Sequence, residues 1–423
     1  MTQAQRQPSC LIIVENLAVP FDRRVWQEAQ ALAGAGWQVS VICPKSTLHP
    51  QAEETIDGIA IYRHPIPLEA RGVLGFFLEY ASALYHEARL AFRVWRRYGI
   101  DVIHACNPPD LIFLVALPYK LLGAKFVFDQ HDICPELYIA KFNRRGIGHA
   151  ITRACEWLSY RCADLVITAN ESFKKLCAPR NGKNPEDVVA VHSYPDFAKF
   201  AAVAVAPKIQ PDPKLTIGYV GIIGSQDGVH TLVRAIDVLR NRRGSSGFRC
   251  RIVGDGPSCA TVKALAREMN LQDCVEFTGY LAGKELLASL STFDIGVIPD
   301  PKDCYTDHIT MNKAFEYMFL GKPVVGFRLR ETERIVGDCG TFAKEETPEA
   351  LADAIAGLLD DAALRTRLGE AARKRAREEF SWSADAQRLV GAYANLLRPR
   401  PAAKSWSLGR FLRWRPGQPP SAT

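Results

Sequence analysis

The stretch "MNKAFEYMFLGKPVV", residues 311–325, sets Lys313 and Glu316 three residues apart on a short helix that ends at Gly-Lys-Pro and runs into a strand. An ammonium in the first turn, beside Asn312 and the free backbone amides, can face a diphosphate. A glutamate one turn further on can take two hydroxyls of a ribose in a bidentate hydrogen bond. An ordinary surface pair of opposite charge fits the same spacing.

Two glycine-rich turns precede this helix. "TIGYVGIIGSQDGVHTL" leaves a strand through Gly221, Gly224 and Gly228, with Gln226 and Asp227 in the turn, and enters a helix. "RIVGDGPS" repeats the device with Gly254, Asp255, Gly256 and Pro257. Glycines let a backbone come close to a ligand, and the amides of a helix start attract phosphate, although a tight turn alone needs the same residues. No P-loop spacing occurs, which argues against Walker-type ATP hydrolysis.

In the first half, "NLAVPFDRR" places Asp22, Arg23 and Arg24 in the loop and first helical turn after the first strand. Arginines at a helix start oppose the dipole. Binding of an acceptor phosphate, such as that of a lipid diphosphate carrier, would explain that cost, and so would surface salt bridges. "HACNPPD" and "QHDICPE" end neighbouring strands, so His104, Asn107, His131, Asp132 and Glu136 are expected to share the same rim.

The elements that must position these residues alternate along nearly the whole chain. Apolar runs of four to eight residues ("LIIVEN", "WQVSVICP", "DVIHAC", "KFVFDQHD", "DLVITAN", "DVVAVHS") alternate with amphipathic stretches, the pattern of parallel sheets covered by helices on both faces. An Ala- and Pro-rich passage without periodicity follows, and then a second set: "TIGYVG", "FRCRIVGDGP", "CVEFTGY", "DIGVIPD", "PVVGF". The fold class is therefore α/β, with two Rossmann-like, doubly wound parallel-sheet domains facing a cleft. The expected division is an acceptor domain over residues 1–200, a linker over 201–213, a donor domain over 214–380, a helix over 381–397 that crosses back to the first domain, and a basic tail over 398–423. In open parallel sheets ligands bind at the carboxyl ends of strands.

The length of 423 residues suits two domains, and 48% apolar with 23% charged residues is ordinary for a globular chain. The net charge of +7 is uneven, because residues 398–423 carry six Lys/Arg and no acid, so an anionic partner is expected there. A second basic stripe, Arg89, Arg93, Arg96 and Arg97, ends a helix over 73–97 that also carries Phe76, Phe77 and Tyr80. Such a face suits anionic lipid, and equally a core-facing helix with a solvated side. Nucleic acid is not expected, for want of zinc-finger spacing, aromatic platforms or a long basic helix. The twelve cysteines, none in C-x-x-C, read as small buried residues of a reducing cytosol. The first strand begins too close to Met1 for a cleavable signal, and no run reaches the length of a spanning helix. The expected location is cytoplasmic, including a peripheral position on the inner face of the plasma membrane.

From "ENLAVPFDRRVWQEA" through "EEFSW" the chain resembles the retaining glycosyltransferases of family 4, which have the GT-B fold. "IVGDGP", "VEFTGYL" and "FEYMFLGKPVV" are similar to the family's donor-domain phrases, and "PFDRR" and "QHDICPE" to its bacterial exopolysaccharide and O-antigen branch. The resemblance implies transfer of a sugar, of the hexosyl type, from a nucleoside diphosphate sugar to a glycan or polyprenyl-diphosphate-linked acceptor. It implies retention. No Asp-x-Asp pair of the kind that chelates a divalent metal occurs, and a lysine with helix amides can stabilise the leaving group, so no metal or other cofactor is expected. Glu316 matches the second glutamate of the family's Glu, seven residues, Glu motif and would hold the ribose, Gly254 to Pro257 would line the base and ribose, and His131 would approach the transferred sugar. His131, Lys313 and Glu316 are thus the candidate catalytic residues.

The donor set adds Gly224, Gln226, Asp227, His308 and Asn312, and the acceptor set is Asp22, Arg23, Arg24, Asn107, His131 and Asp132. The sequence departs from the family at His308, where the motif has its first glutamate, and at Ile222 and Asp227, where many relatives carry an arginine and a lysine. Lys313 and the helix amides are left to neutralise a diphosphate. These departures keep a non-catalytic partner subunit in view beside the transferase. A nucleotide-sugar epimerase on the same scaffold is the other alternative.

Overall fold

A computed structural model describes residues 6–65, 72–195, 214–244 and 247–398, with side chains described from residue 81 onward in the helix that starts at Gly72. The first domain is an eight-stranded sheet in the order β3-β4-β2-β1-β5-β6-β7-β8. Its strands are β1 (Ser9–Ile13), β2 (Gln38–Pro44), β3 (Glu53–Ile56), β4 (Ile59–His64), β5 (Val102–Cys106), β6 (Lys125–Gln130), β7 (Leu165–Thr168) and β8 (Val188–Ala190). All neighbours are parallel except β3, which pairs antiparallel with β4 at the edge. β1 and β5 are buried at every residue, as interior strands covered on both faces must be. On one face pack α2 (Gly72–Tyr98), α3 (Phe113–Leu121) and α5 (Ile147–Cys162), which share one hydrophobic core; α1 (Arg23–Gly34) covers the other. The short α4 (Cys134–Phe142) joins β6 to α5, and α6 (Glu171–Arg180) joins β7 to β8.

The second domain is a six-stranded, all-parallel sheet in the order β11-β10-β9-β12-β13-β14, with β9 (Leu215–Val220), β10 (Phe248–Val253), β11 (Val275–Gly279), β12 (Ile295–Ile298), β13 (Val324–Gly326) and β14 (Gly340–Phe342). Its helices are α7 (Val229–Arg243), α8 (Cys259–Glu268), α9 (Gly283–Ser291), α10 (Asn312–Phe319), α11 (Arg330–Val336), α12 (Pro348–Asp360) and α13 (Ala362–Glu379). The two doubly wound sheets expected from the alternating pattern are both present. The 201–213 linker, the tail beyond residue 398, and Phe76, Phe77 and Tyr80 as side chains lie outside the described residues.

The last helix, α14 (Trp382–Leu397), packs on the first domain: Leu389, Tyr393 and Leu396 enter the core beside α1, and Tyr393 meets Trp37 edge-on at 5.2 Å. A second tie is Tyr194, at the end of the first domain. Its ring lies 5.1 Å from Phe315 and 5.7 Å from Phe380 of the second. No helix among the described residues is long and apolar enough to cross a membrane.

Candidate functional site

On the second domain, β9, β10 and β12 deliver three loops to one edge, and α10 starts beside them. The first two loops interlock: Ile223 N donates to Asp255 O at 3.0 Å and Ser258 N to Ile223 O at 2.8 Å. A Cβ on Gly254, whose φ is +139°, would lie 1.8 Å from Gly221 O, and one on Gly256 would lie 2.7 Å from Ile223 O. These glycines are therefore required by loop-on-loop packing, whatever ligand they meet. The Asp255 carboxylate accepts from Gly256 N at 2.8 Å, which lowers its pKa, and Asp227 caps Gly224 N at 2.9 Å.

Lys313 reaches from α10 across the Tyr219 ring, 4.7 Å from its centroid, and donates from Nζ to Asp300 Oδ2 at 2.8 Å. Burial disfavours this ammonium, yet Asp300 outweighs it and the pKa ends above its ordinary value. The lysine therefore stays charged, held by an acid one loop away. Asp227 stands close enough to act on it, and burial raises the Asp227 carboxyl. Asn312 is exposed at the helix start and Gln226 is half-buried in the β9 loop. Glu316 is also half-buried; burial pushes its carboxyl up to about 7, although Arg23 and Lys313 favour the charged form. Arg23 belongs to the first domain, so the cleft has a cation from one half facing an acid from the other.

On the first domain the rim is organised by Asp129, which is fully buried in β6. Arg24 grips it with both edges of its guanidinium, Nε to Oδ2 at 3.1 Å and Nη2 to Oδ1 at 2.7 Å, and spends Nη1 on Val191 O at 2.6 Å. His131 Nε2 lies 2.6 Å from Asp129 Oδ2, and His104 Nε2 lies 3.3 Å from the same atom. Tyr393 of α14 closes the chain at His104 Nδ1, 2.6 Å away. Burial works against the Asp129 carboxylate, but Arg24 and His131 hold it well below the usual range. Glu28 completes the group with Arg24 at 3.2 Å, and burial together with the neighbouring Asp129 raises its carboxyl well above the ordinary value. An ionised Asp129 takes the Nε2 proton of His131 in a hydrogen bond and fixes which ring nitrogen faces the cleft.

The acceptor expectations are corrected here. Arg24 does not face the cleft; it is buried and fully engaged with Asp129, Glu28 and Val191. Asp22 is buried as the N-cap of α1, accepting from Val25 N at 3.1 Å. Asn107 is also buried, and its Oδ1 accepts from the backbone amides of His131 and Asp132 at 2.6 and 3.1 Å. His104 lies behind the rim, and Glu136 is engaged by Arg180. Arg23 and His131 remain at the cleft.

The loop after β12 of the second domain docks on this rim. Tyr305 OH donates to Asp132 Oδ1 at 2.7 Å, and Asn170 Nδ2, from the start of α6, donates to His308 O and Thr310 Oγ1 at 2.9 and 3.0 Å. Ser172 and Glu331 add a further bond between the domains. His308 is thus held by its backbone at the domain interface, with Nδ1 buried without a hydrogen bond and the ring pKa lowered by burial and Arg330.

Sequence reasoning missed Asp129, Asp300, Tyr305 and Asn170. The available signal was an acid in or just after an otherwise apolar strand, in "KFVFDQ" and "IGVIPD". His104, Cys106 and Asp129 approach one another within 4.8 Å, the spacing of a metal site. Burial keeps the Cys106 thiol protonated and Arg24 occupies both oxygens of Asp129, so the group is built for hydrogen bonding rather than coordination.

Residues 22–197 match the family described as Glycosyltransferase Family 4, and residues 214–361 match Glycosyl transferases group 1. The chain is 25% identical over 401 residues to glycogen synthase of Mycobacterium tuberculosis, covering 90% of this chain and 92% of that one. In fold it is similar to sucrose-phosphate synthase of Thermosynechococcus elongatus, with a TM-score of 0.73, 21% identity, and 92% and 99% of the two chains covered. It is also similar to Anabaena HepE solved in complex with UDP, with a TM-score of 0.67, 15% identity, and 92% and 100% covered.

Proposed function

Because the chain is a glycosyltransferase of the GT-B fold, we propose that it moves a sugar from a nucleoside diphosphate sugar, held by the second domain, to a lipid-linked glycan acceptor on the first. The reaction retains anomeric configuration, needs no metal, and belongs to cell-surface polysaccharide synthesis. The observation that carries this reading is the arrangement of Lys313 and Glu316 on α10, with Arg23 of the other domain close enough to act on Glu316. The HepE neighbour bears UDP, a ligand of the required class.

On donor binding Lys313 exchanges Asp300 for the diphosphate, and the α10 amides complete the positive field. Glu316 accepts from the ribose hydroxyls in its ionised form. As the bond from the anomeric carbon to the phosphate oxygen breaks, the acceptor oxygen attacks from the same face and its proton passes to the departing phosphate. His131, with Nε2 tied to Asp129, orients the transferred sugar and takes no proton. Tyr305 and Asn170 hold the halves together so that water is excluded.

The test is a panel of nucleoside diphosphate sugars, read by release of free nucleoside diphosphate with a membrane extract as acceptor, in EDTA and with added magnesium. Acceptor-dependent release unaffected by EDTA supports the reading. Loss of turnover in EDTA restored by magnesium contradicts metal independence. The crowding of Asp300 and Asp227 around Lys313, with His308 in place of a glutamate, favours as a second reading a non-catalytic partner subunit. A chain that binds no nucleoside diphosphate in calorimetry would be that subunit. An epimerase would convert a nucleotide sugar without acceptor.

A further inference from the structure

We propose that the outer face of α2, α3 and α5 in the first domain docks on an anionic lipid bilayer. The three helices lie side by side over one core, with α3 in the middle and the Trp95 ring of α2 6.3 Å from Tyr119 of α3. Their inner faces bury Leu90, Val94, Phe113 and Tyr160, as the amphipathic pattern requires. Their outer faces are not polar. On α3 the residues at positions 114, 117 and 121 form one stripe of leucines, and Leu121 is 82% exposed. Leu122 beside it is 67% exposed. α2 adds Phe92 and Trp95, whose rings touch at 5.7 Å, and α5 adds Ile147, 83% exposed, and Ile151. Large apolar side chains exposed together on three neighbouring helices mark a contact site.

Charge selects the partner. Residues 81–98, 113–121 and 147–162 contain two carboxylates, Glu87 and Glu156, and both are fully buried. The outer faces carry Arg89, Arg93, Arg96 and Arg97 on α2 and Arg153 on α5. Arg93 meets Glu53 of β3, and Arg153 reaches the buried Glu156 at 3.0 Å, while Arg89 and Arg96 of α2 are exposed. Leucine and aromatic side chains interleaved with arginines, with no exposed acid among the described residues of the three helices, complement a surface that is apolar within and negative at its headgroups. No described helix can span the membrane, so the contact is one of lying on it.

The experiment uses the full chain, without donor, so that its outcome does not depend on sugar transfer. Co-sedimentation is measured with vesicles of phosphatidylcholine alone and of phosphatidylcholine mixed with phosphatidylglycerol, for the wild type, for Leu117→Ser/Leu121→Ser/Leu122→Ser and for Arg89→Glu/Arg96→Glu. All five positions are exposed, and circular dichroism checks folding. The inference expects the wild type to prefer the anionic vesicles, each variant to partition at least about tenfold more weakly, and added salt to weaken the wild type. It is overturned when the wild type shows no such preference, or when the variants bind as the wild type does, which would assign the contact to the basic tail. It is also overturned when light scattering without lipid finds a dimer that the leucine variant dissolves, because a second copy would then cover the face.

Discussion

In the first domain the polar groups behind the cleft hold one another in place: Arg24 closes on Asp129, Asp129 lies against His131 and His104, and Tyr393 of the returning helix fixes His104. In the second, Lys313 rests on one hydrogen bond to Asp300 and Glu316 is poised near neutrality. One half is assembled before any ligand arrives; the other has charges that a ligand can redirect. The outer surfaces differ as well. Arg242 and Asp353 pair at 2.5 Å across α7 and α12 of the second domain, and the large apolar side chains exposed among its described residues are Ile222 and Tyr280. The first domain interleaves leucines and arginines. The contrast teaches that the first half holds its polar groups in fixed orientation, whereas the second keeps charges that a ligand could exchange.

The comparison can be broken most forcefully at Asp129. Asp129→Ala leaves the Arg24 guanidinium buried without its partner, which should cost roughly 3–5 kcal/mol in urea unfolding. Asp129→Asn keeps the shape and presents an amide to His131, and should lower kcat by about 100-fold or more with little change in nucleotide affinity. On the donor side Lys313→Ala removes a charge-assisted contact of about 2–3 kcal/mol, so nucleoside diphosphate should bind roughly 30- to 150-fold more weakly in calorimetry. Arg234→Ala, on the next helix, should change little, and equal effects of the two would refute the assignment to Lys313.

Glu316 sharpens the contrast through pH. Its folded pKa of about 7 lies above the ordinary 4.5, so between these values the folded state binds more protons than the unfolded. The wild type should therefore lose stability relative to Glu316→Gln as pH rises from 4.5 to 7, by roughly 3 kcal/mol, and hold level above that. Nucleotide affinity should rise over the same approach to neutrality, because the ionised carboxylate accepts the ribose hydroxyls, and Glu316→Gln should flatten the curve. The smallest effect is expected at Tyr305→Phe. Loss of its bond to Asp132 removes about 1 kcal/mol between the domains and should lower turnover several-fold while leaving nucleotide affinity unchanged.

The two sheets were legible because parallel strands buried on both faces leave continuous apolar runs, and the loops because tight approach demands glycine. The placement of Lys313 and Glu316 on one short helix followed from local spacing. Arg23 and Arg24 could not be told apart, since neighbours on a helix point about 100° apart and only the position of Asp129 decides which turns inward. Three strands were missed: β3, because "EETI" is short and half-exposed and becomes a strand only by pairing with β4, together with β4 itself and the three-residue β14. The partners of His131, Lys313 and Asp132 come from distant segments, and no local pattern announces such pairs.

The most direct measurement is a structure of the chain with a bound nucleoside diphosphate. The account predicts phosphate oxygens within hydrogen-bonding reach of Lys313 Nζ and the first amides of α10, with ribose hydroxyls on Glu316 and Asp300 released. Phosphates lodged elsewhere, with the bond from Lys313 to Asp300 intact, would contradict it.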